Sequence, residues 1–139
     1  MRRRATTACG WALLLLGSSG PLWAETPQQL LAGFEADARA TQPGFAGFSA
    51  QRGQTLFNNP HGAEWSCASC HTADPRDDGK HAKTGKRIAP MAPVANAERF
   101  TDAAKVAKWF KRNCNDVLGR ACTATEKGDV LTYLLAFKK

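Results

Sequence analysis

The stretch Trp65-Ser66-Cys67-Ala68-Ser69-Cys70-His71 carries two thiols three positions apart, with an imidazole directly after the second. That spacing is the C-x-x-C-H pattern of c-type haem attachment. Two thiols so placed meet the two vinyl groups on one edge of a haem as thioethers. The following His then falls beneath the iron, where an imidazole nitrogen ligates both ferric and ferrous forms. Other uses of these residues fit the surroundings less well. A redox-active C-x-x-C pair calls for a strand before it and a helix after it in a βαβ context, and no strand-period segment precedes Cys67. A zinc site needs a fourth ligand, with His81 or another Cys as candidates. His61 and His81 read instead as solvated loop residues.

Around the motif, residues 61–97 show no sustained period and include Pro75, Pro90 and Pro93. So long a loop is uncommon inside a small domain. A haem accounts for it, because loops wrap a large apolar cofactor that replaces side-chain core. On either side the signals are helical. Thr26-Pro27 opens a short helix with an N-cap and a first-turn proline, and Leu30, Leu31 and Phe34 form its apolar face. Pro43-Gly44-Phe45-Ala46-Gly47 is a linker or turn. Ser49 caps a second helix to about Asn58, with Ala50, Gly53, Leu56 and Phe57 on one side. Thr101 is the expected cap of a third helix ending near Asn113, in which Val106, Trp109 and Phe110 follow the i, i+3, i+4 rule. Thr123 and Glu126 form a capping-box pattern before a last helix whose inward residues are Val130, Leu131, Leu134, Leu135 and Phe137. The fold class is all-α, a small set of helices wrapped around one covalently bound haem c.

The chain starts with Met1-Arg2-Arg3-Arg4, followed by an apolar run from Cys9 to Leu16. Gly17-Ser18-Ser19-Gly20-Pro21 breaks any helix, and Leu22-Trp23-Ala24 supplies a small residue at a cut. This is a secretory signal layout. Its apolar core is well short of the ~20 residues a membrane span needs. The chain divides into a signal peptide at 1–24, an N-terminal helix and linker at 25–47, and a domain at 48–139. The mature protein is expected in the periplasm, with no membrane span. Loss of Arg2, Arg3 and Arg4 lowers the formal charge from +7 to +4. No aromatic-rich basic stripe accompanies that mild balance, so nucleic acid is not indicated as a partner. Cys9 leaves with the signal, and Cys67, Cys70, Cys114 and Cys122 remain, an even number suited to an oxidising compartment. With the first two on haem, the other two are left as a pair.

Ala50-Gln51-Arg52-Gly53-Gln54-Thr55-Leu56-Phe57, placed shortly before the motif, resembles the first helix of the cytochrome c fold. Its Gly53 would let the C-terminal helix cross closely, with Tyr133 or Leu134 packing over the missing side chain. The residues alone leave the sixth iron ligand open. Met91, in Ile88-Ala89-Pro90-Met91-Ala92-Pro93, is the one mature Met and lies 20 residues past His71. It serves equally as a flexible apolar side chain against a haem edge.

The run Lys108-Trp109-Phe110-Lys111-Arg112-Asn113-Cys114-Asn115-Asp116-Val117-Leu118-Gly119-Arg120-Ala121-Cys122-Thr123 closely resembles the sphaeroides haem protein family of oxygen-binding c-type cytochromes, grouped with DUF1924 domains. Thr84-Gly85-Lys86, Ile88-Ala89-Pro90, Arg99-Phe100-Thr101-Asp102, Glu126-Lys127-Gly128-Asp129 and Gln29-Leu30-Leu31-Ala32-Gly33-Phe34-Glu35 fit it too. The resemblance implies that Asn113 is the sixth ligand, with Asn115 its nearest competitor, and that Cys114 and Cys122 form a disulfide. It also implies that the Asn leaves on reduction, opening a site for dioxygen, nitric oxide or carbon monoxide. The implied redox partner is a cytochrome, a dihaem cytochrome c or a membrane cytochrome b.

Alternatives of other classes are a plain His/Met electron carrier and an enzyme reducing a small ligand at the opened site. No distal His or Arg is evidently arranged for peroxide chemistry. Lys80, Lys83, Lys86, Arg87, Lys105, Lys108, Lys111 and Arg112 offer a basic surface to an acidic redox partner. N-terminal sequencing of the exported protein is expected to start at Glu25, and a start at Met1 would refute the signal peptide.

Overall fold

The computed structural model describes residues 25–138, so the signal peptide read at 1–24 lies outside the described residues. Each of the four long helices begins at a side chain that accepts its orphan N–H groups. Helix α1 (Pro27–Thr41) starts with a reciprocal box, in which Gln29 N donates to Thr26 Oγ1 at 3.2 Å and Thr26 N donates to Gln29 Oε1 at 2.7 Å. Helix α2 (Ala50–Asn58) is capped by Ser49. A single turn, α3 (Ala68–His71), and two short strands, β1 (Gly79–Lys80) and β2 (Arg87–Ile88), occupy the segment expected to be loops. The strands pair antiparallel, Gly79 with Ile88 and Lys80 with Arg87. Elements so short carry no sequence period.

Helix α4 (Ala103–Leu118) differs from expectation at both ends. Asp102, not Thr101, caps it by accepting from Lys105 N at 2.9 Å, while the Thr101 hydroxyl donates to Glu98 O. It also runs past Asn113 to Leu118, because Cys114 and Val117 continue its buried side. Gly119, at φ +67°, then ends it in the left-handed conformation that glycine adopts without strain. Helix α5 (Ala124–Leu135) starts with the expected Thr123–Glu126 box.

The core forms where α2 crosses α5. A Cβ on Gly53 would collide with the Asp129 carbonyl and meet Val130 N at 2.9 Å, so only glycine permits this approach. The backbone of Asp129–Val130, rather than Tyr133 or Leu134, therefore covers Gly53. Tyr133 and Leu134 pack a turn further on, with Leu56, Phe57 and Val130, as one buried cluster. Beside the crossing, the buried Asp129 carboxylate accepts from Ser49 N at 2.6 Å and from Arg52 Nε and Nη2 at 2.7 and 2.8 Å. A buried carboxylate is tolerable only with its lone pairs so satisfied. Helix α1 lies along α5, and its Phe34 meets Phe110 of α4 edge-on at 5.9 Å. Among the described residues no helix is long and apolar enough to cross a membrane.

Gly53→Ala is expected to destabilise the protein by about 1–3 kcal/mol, read by denaturant unfolding. Gly33→Ala in α1, where nothing lies within 4 Å of the new methyl, should instead stabilise it slightly. Equal effects would contradict the close crossing.

Candidate functional site

Cys67, Cys70 and His71 come together because α3 is one turn. Cys70 N and His71 N both donate to Cys67 O, at 3.2 and 3.0 Å. Residues i and i+3 of such a turn share a side. The turn stops at Thr72, whose φ of +62° redirects the chain. The hairpin then folds back on the motif. Gly79 lies so close to the Cys70 carbonyl that a Cβ would clash with it, and Ala82 N donates to Cys70 Sγ at 3.3 Å.

The two cysteines are free and not bridged to each other. Burial pushes the Cys67 thiol up to about 11, which keeps it protonated. A redox-active C-x-x-C pair needs the opposite, a depressed thiol pKa. The same burial, helped by the positive charge of Arg99, lowers the His71 imidazole to about 4. A neutral imidazole is the form that ligates metals. Its Nδ1 is buried without a hydrogen-bond partner, and Phe57 lies 6.3 Å from it, ring centre to ring centre.

The Pro-rich loop is fastened on His71's side. Met91 N and Ala92 N both donate to the carbonyl of buried Pro75, at 2.8 Å, four residues after His71. Arg99 Nε and Nη2 donate to Pro90 O and Ala89 O at 2.8 and 2.6 Å. Met91 is thus held by its backbone beside His71's own segment. Arg99 is thus the anchor of this loop, a role that its place in the family pattern does not disclose. An arginine following a proline-rich loop, whose carbonyls lack local donors, was the available signal.

Asn113 lies within α4 and not at its end, so it is no helix cap. It shares a face with Val106, Phe110 and Val117, at helical spacing. It is half-buried, whereas Asn115 is exposed and turned away, its carbonyl accepting from Gly119 N at 3.0 Å. Directly after Asn113, Cys114 is disulfide-bonded to Cys122, with Cα atoms 5.5 Å apart. The bridge ties the last turn of α4 to the start of α5. His61 is exposed and its Nε2 lies 3.1 Å from Leu56 O, while His81 Nδ1 accepts from Lys83 N and Thr84 N. Both are local turn contacts.

These residues fit a haem. Among the described residues no other helix or strand packs closely along the apolar side of α4; Phe110 meets Phe34 of α1 edge-on, and Phe110 and Leu118 reach the core cluster. Cys67, Met91 and Phe100, all partly buried, also pack on that cluster. A flat apolar group is what such a ring of surfaces from separate segments accommodates, with paired thiols and an unpartnered imidazole beside it. A cleft of about 720 Å³, lined in part by Gln42, Arg52, Thr55, His61 and Arg120, includes none of Cys67, Cys70, His71 or Asn113.

Residues 43–134 match the family described as Domain of unknown function (DUF1924). The chain is 47% identical over 115 residues to Cytochrome c-type protein SHP of Cereibacter sphaeroides, covering 80% of this chain and 84% of that protein. It is 42% identical over 106 residues to Cytochrome c'' of Methylophilus methylotrophus, covering 73% and 74%. The solved structure of oxidised SHP, described as an oxygen-binding cytochrome c, superposes with a TM-score of 0.73 at 46% identity, over 82% of this chain and 99% of that one. That of oxidised cytochrome c'' gives 0.72 at 39% identity, over 81% and 95%. With the C-x-x-C-H turn, the mainly helical frame and these likenesses agreeing, the chain belongs to the DUF1924 family and is a c-type cytochrome related to SHP and cytochrome c''.

Proposed function

We propose that this protein is an exported, periplasmic monohaem cytochrome that transfers electrons and binds dioxygen, nitric oxide or carbon monoxide only when reduced. In this reading Cys67 and Cys70 hold the haem through thioethers, His71 is the fifth ligand, and Asn113 is the sixth. The haem supplies a one-electron redox centre and an iron open to small ligands. The observation that carries the reading is Asn113 itself, a polar side chain interrupting the apolar stripe Val106–Phe110–Val117 on the side of α4 that faces the core.

An amide in that stripe needs a partner, because burying it without one costs free energy. An amide oxygen is a hard, neutral donor, adequate for ferric iron and weak for the softer ferrous ion. Asn113 therefore holds the oxidised state and releases the reduced one. Met91, a soft thioether, would hold ferrous iron and keep the site closed. Its backbone anchorage beside Pro75 and Arg99, on the side of His71, speaks against that role. On this reading His71 stays neutral through burial and needs no proton movement to ligate.

Denatured wild type is expected to retain one haem mass, and the Cys67→Ser, Cys70→Ser double variant to lose it. Acid-acetone extraction of haem from the wild type would sink covalent attachment. Asn113→Ala should keep the haem but turn the ferric spectrum from six-coordinate low-spin to five-coordinate or water-bound. Met91→Leu should leave both oxidation states spectrally unchanged, and ferrous wild type should bind carbon monoxide without a slow ligand-loss phase. The reverse pattern, in which Met91→Leu opens ferric iron and Asn113→Ala does nothing, identifies an ordinary electron carrier.

A further inference from the structure

We infer that the outer face of α4, centred on Trp109, is the docking surface for an acidic one-electron redox protein. This rests on the electron-transfer reading above and adds where the partner sits. Trp109 leaves 44% of its surface exposed and is the one large apolar side chain so exposed among the described residues. The inward stripe of α4 does not use it. Lys105 and Arg112 are its neighbours at i−4 and i+3, Lys108 directly precedes it and Lys111 lies two positions on; all four are exposed. Lys108 Nζ and Arg112 Cζ lie 6.0 and 5.6 Å from the indole centre.

The charges on this face lack partners. Arg39, Arg52, Arg76, Arg87 and Arg120 each pair with a carboxylate, whereas none of Lys105, Lys108, Lys111 and Arg112 does among the described residues. Asp116 is the sole carboxylate within α4. Like charges at i, i+3 and i, i+4 repel, and an opposing acidic surface relieves them while steering the encounter. Trp and Arg are also the residue types that dominate interface energetics.

The competing basic surface is the hairpin next to Cys70. There Lys83 already rests over Trp65 at 4.7 Å, Arg87 is bound to Asp78, and no large apolar side chain is exposed. Trp109 lies four residues before Asn113, so the two are neighbours on α4 and a partner docked on Trp109 would sit beside the Asn113 side. One electron would leave the partner's centre, oxidising it, and reduce ferric haem iron to ferrous, with no bond broken in either protein's chain.

The test is stopped-flow reduction of the ferric holoprotein by a photoreduced acidic [2Fe–2S] ferredoxin, beside a neutral hydroquinone as small reductant. The wild-type rate with ferredoxin should fall steeply with salt. Lys108→Glu with Arg112→Glu should lower it by about tenfold or more at low salt and leave the hydroquinone rate unchanged. Trp109→Ala should lower it several-fold even at high salt, where steering is screened. An equal or larger loss from Lys80→Glu, Lys83→Glu and Lys86→Glu together would overturn the assignment. So would a matching loss of the hydroquinone rate in the α4 variants. Sedimentation with phosphatidylglycerol vesicles gives a further arm: binding abolished by Trp109→Ala, with the ferredoxin rate untouched, would assign the face to a lipid surface and overturn the proposal. Failure of the Asn113 reading leaves these rates interpretable, since they report reduction whatever the sixth ligand.

Discussion

One side of α4 is apolar and, among the described residues, has no helix packed closely along it. In a domain this small that side must be covered, because exposed apolar stripes cost roughly 25 cal/mol per Å². The α2–α5 crossing solves the same problem for half of the molecule with protein alone: Gly53 lets the backbones meet, and Leu56, Phe57, Val130, Tyr133 and Leu134 close around one another. In the proposed reading the haem covers the other half. The long irregular segment between α2 and α4 follows from this, since a flat cofactor with two faces and an edge is wrapped more readily by loops than by a further packed helix.

A loop-built wall has to be made rigid by something other than helix ladders. Around His71 the chain uses carbonyls of prolines as fixed points. Pro75 O takes two N–H donors from the Met91 loop, and Arg99 spans Ala89 O and Pro90 O. Proline has no N–H and a locked φ, so its carbonyl is well placed to receive donors from elsewhere. Gly79 completes the wall by letting the hairpin lie directly on the Cys70 carbonyl. His71 is thereby held from several directions by backbone, and not by another titrating side chain.

Legibility in the sequence divided along physical lines. The caps at Thr26, Ser49 and Thr123 and the buried faces of α2 and α5 were readable, because capping and amphipathic periodicity are local. The C-x-x-C-H turn was readable because its chemistry fixes its spacing. The end of α4 was misplaced. Asn113-Cys114-Asn115-Asp116 are weak helix formers, and the tertiary burial of Cys114 and Val117 that overrides them is not local. Gly119 was the stop signal, and read as such it would have put Asn113 inside the helix. The partner of Gly53 was also set one turn too late, since a crossing point depends on how two helices are rotated about their axes. Arg99 went unread as an anchor because its acceptors lie nine and ten residues back, in a loop with no period.

The place of the disulfide matters because α4 continues past Asn113. A bridge placed after a helix would merely staple a loop. Cys114 lies inside α4, directly after Asn113, so the Cys114–Cys122 bond fixes the last turn of the helix to the N-cap of α5. A weak ligand depends on position more than a strong one. Its bond contributes little, and any freedom of the backbone carrying it subtracts directly from its occupancy. Helix ladder, bridge and capping box together leave the Asn113 backbone little freedom. The proposed release on reduction then requires only side-chain rotation, with α4 staying in place. Trp109 and its flanking cations, on the same helix, would present one unchanged surface to a partner in both oxidation states. A gate that moves a side chain while its helix stands still can therefore be combined with a docking face beside it on the same helix.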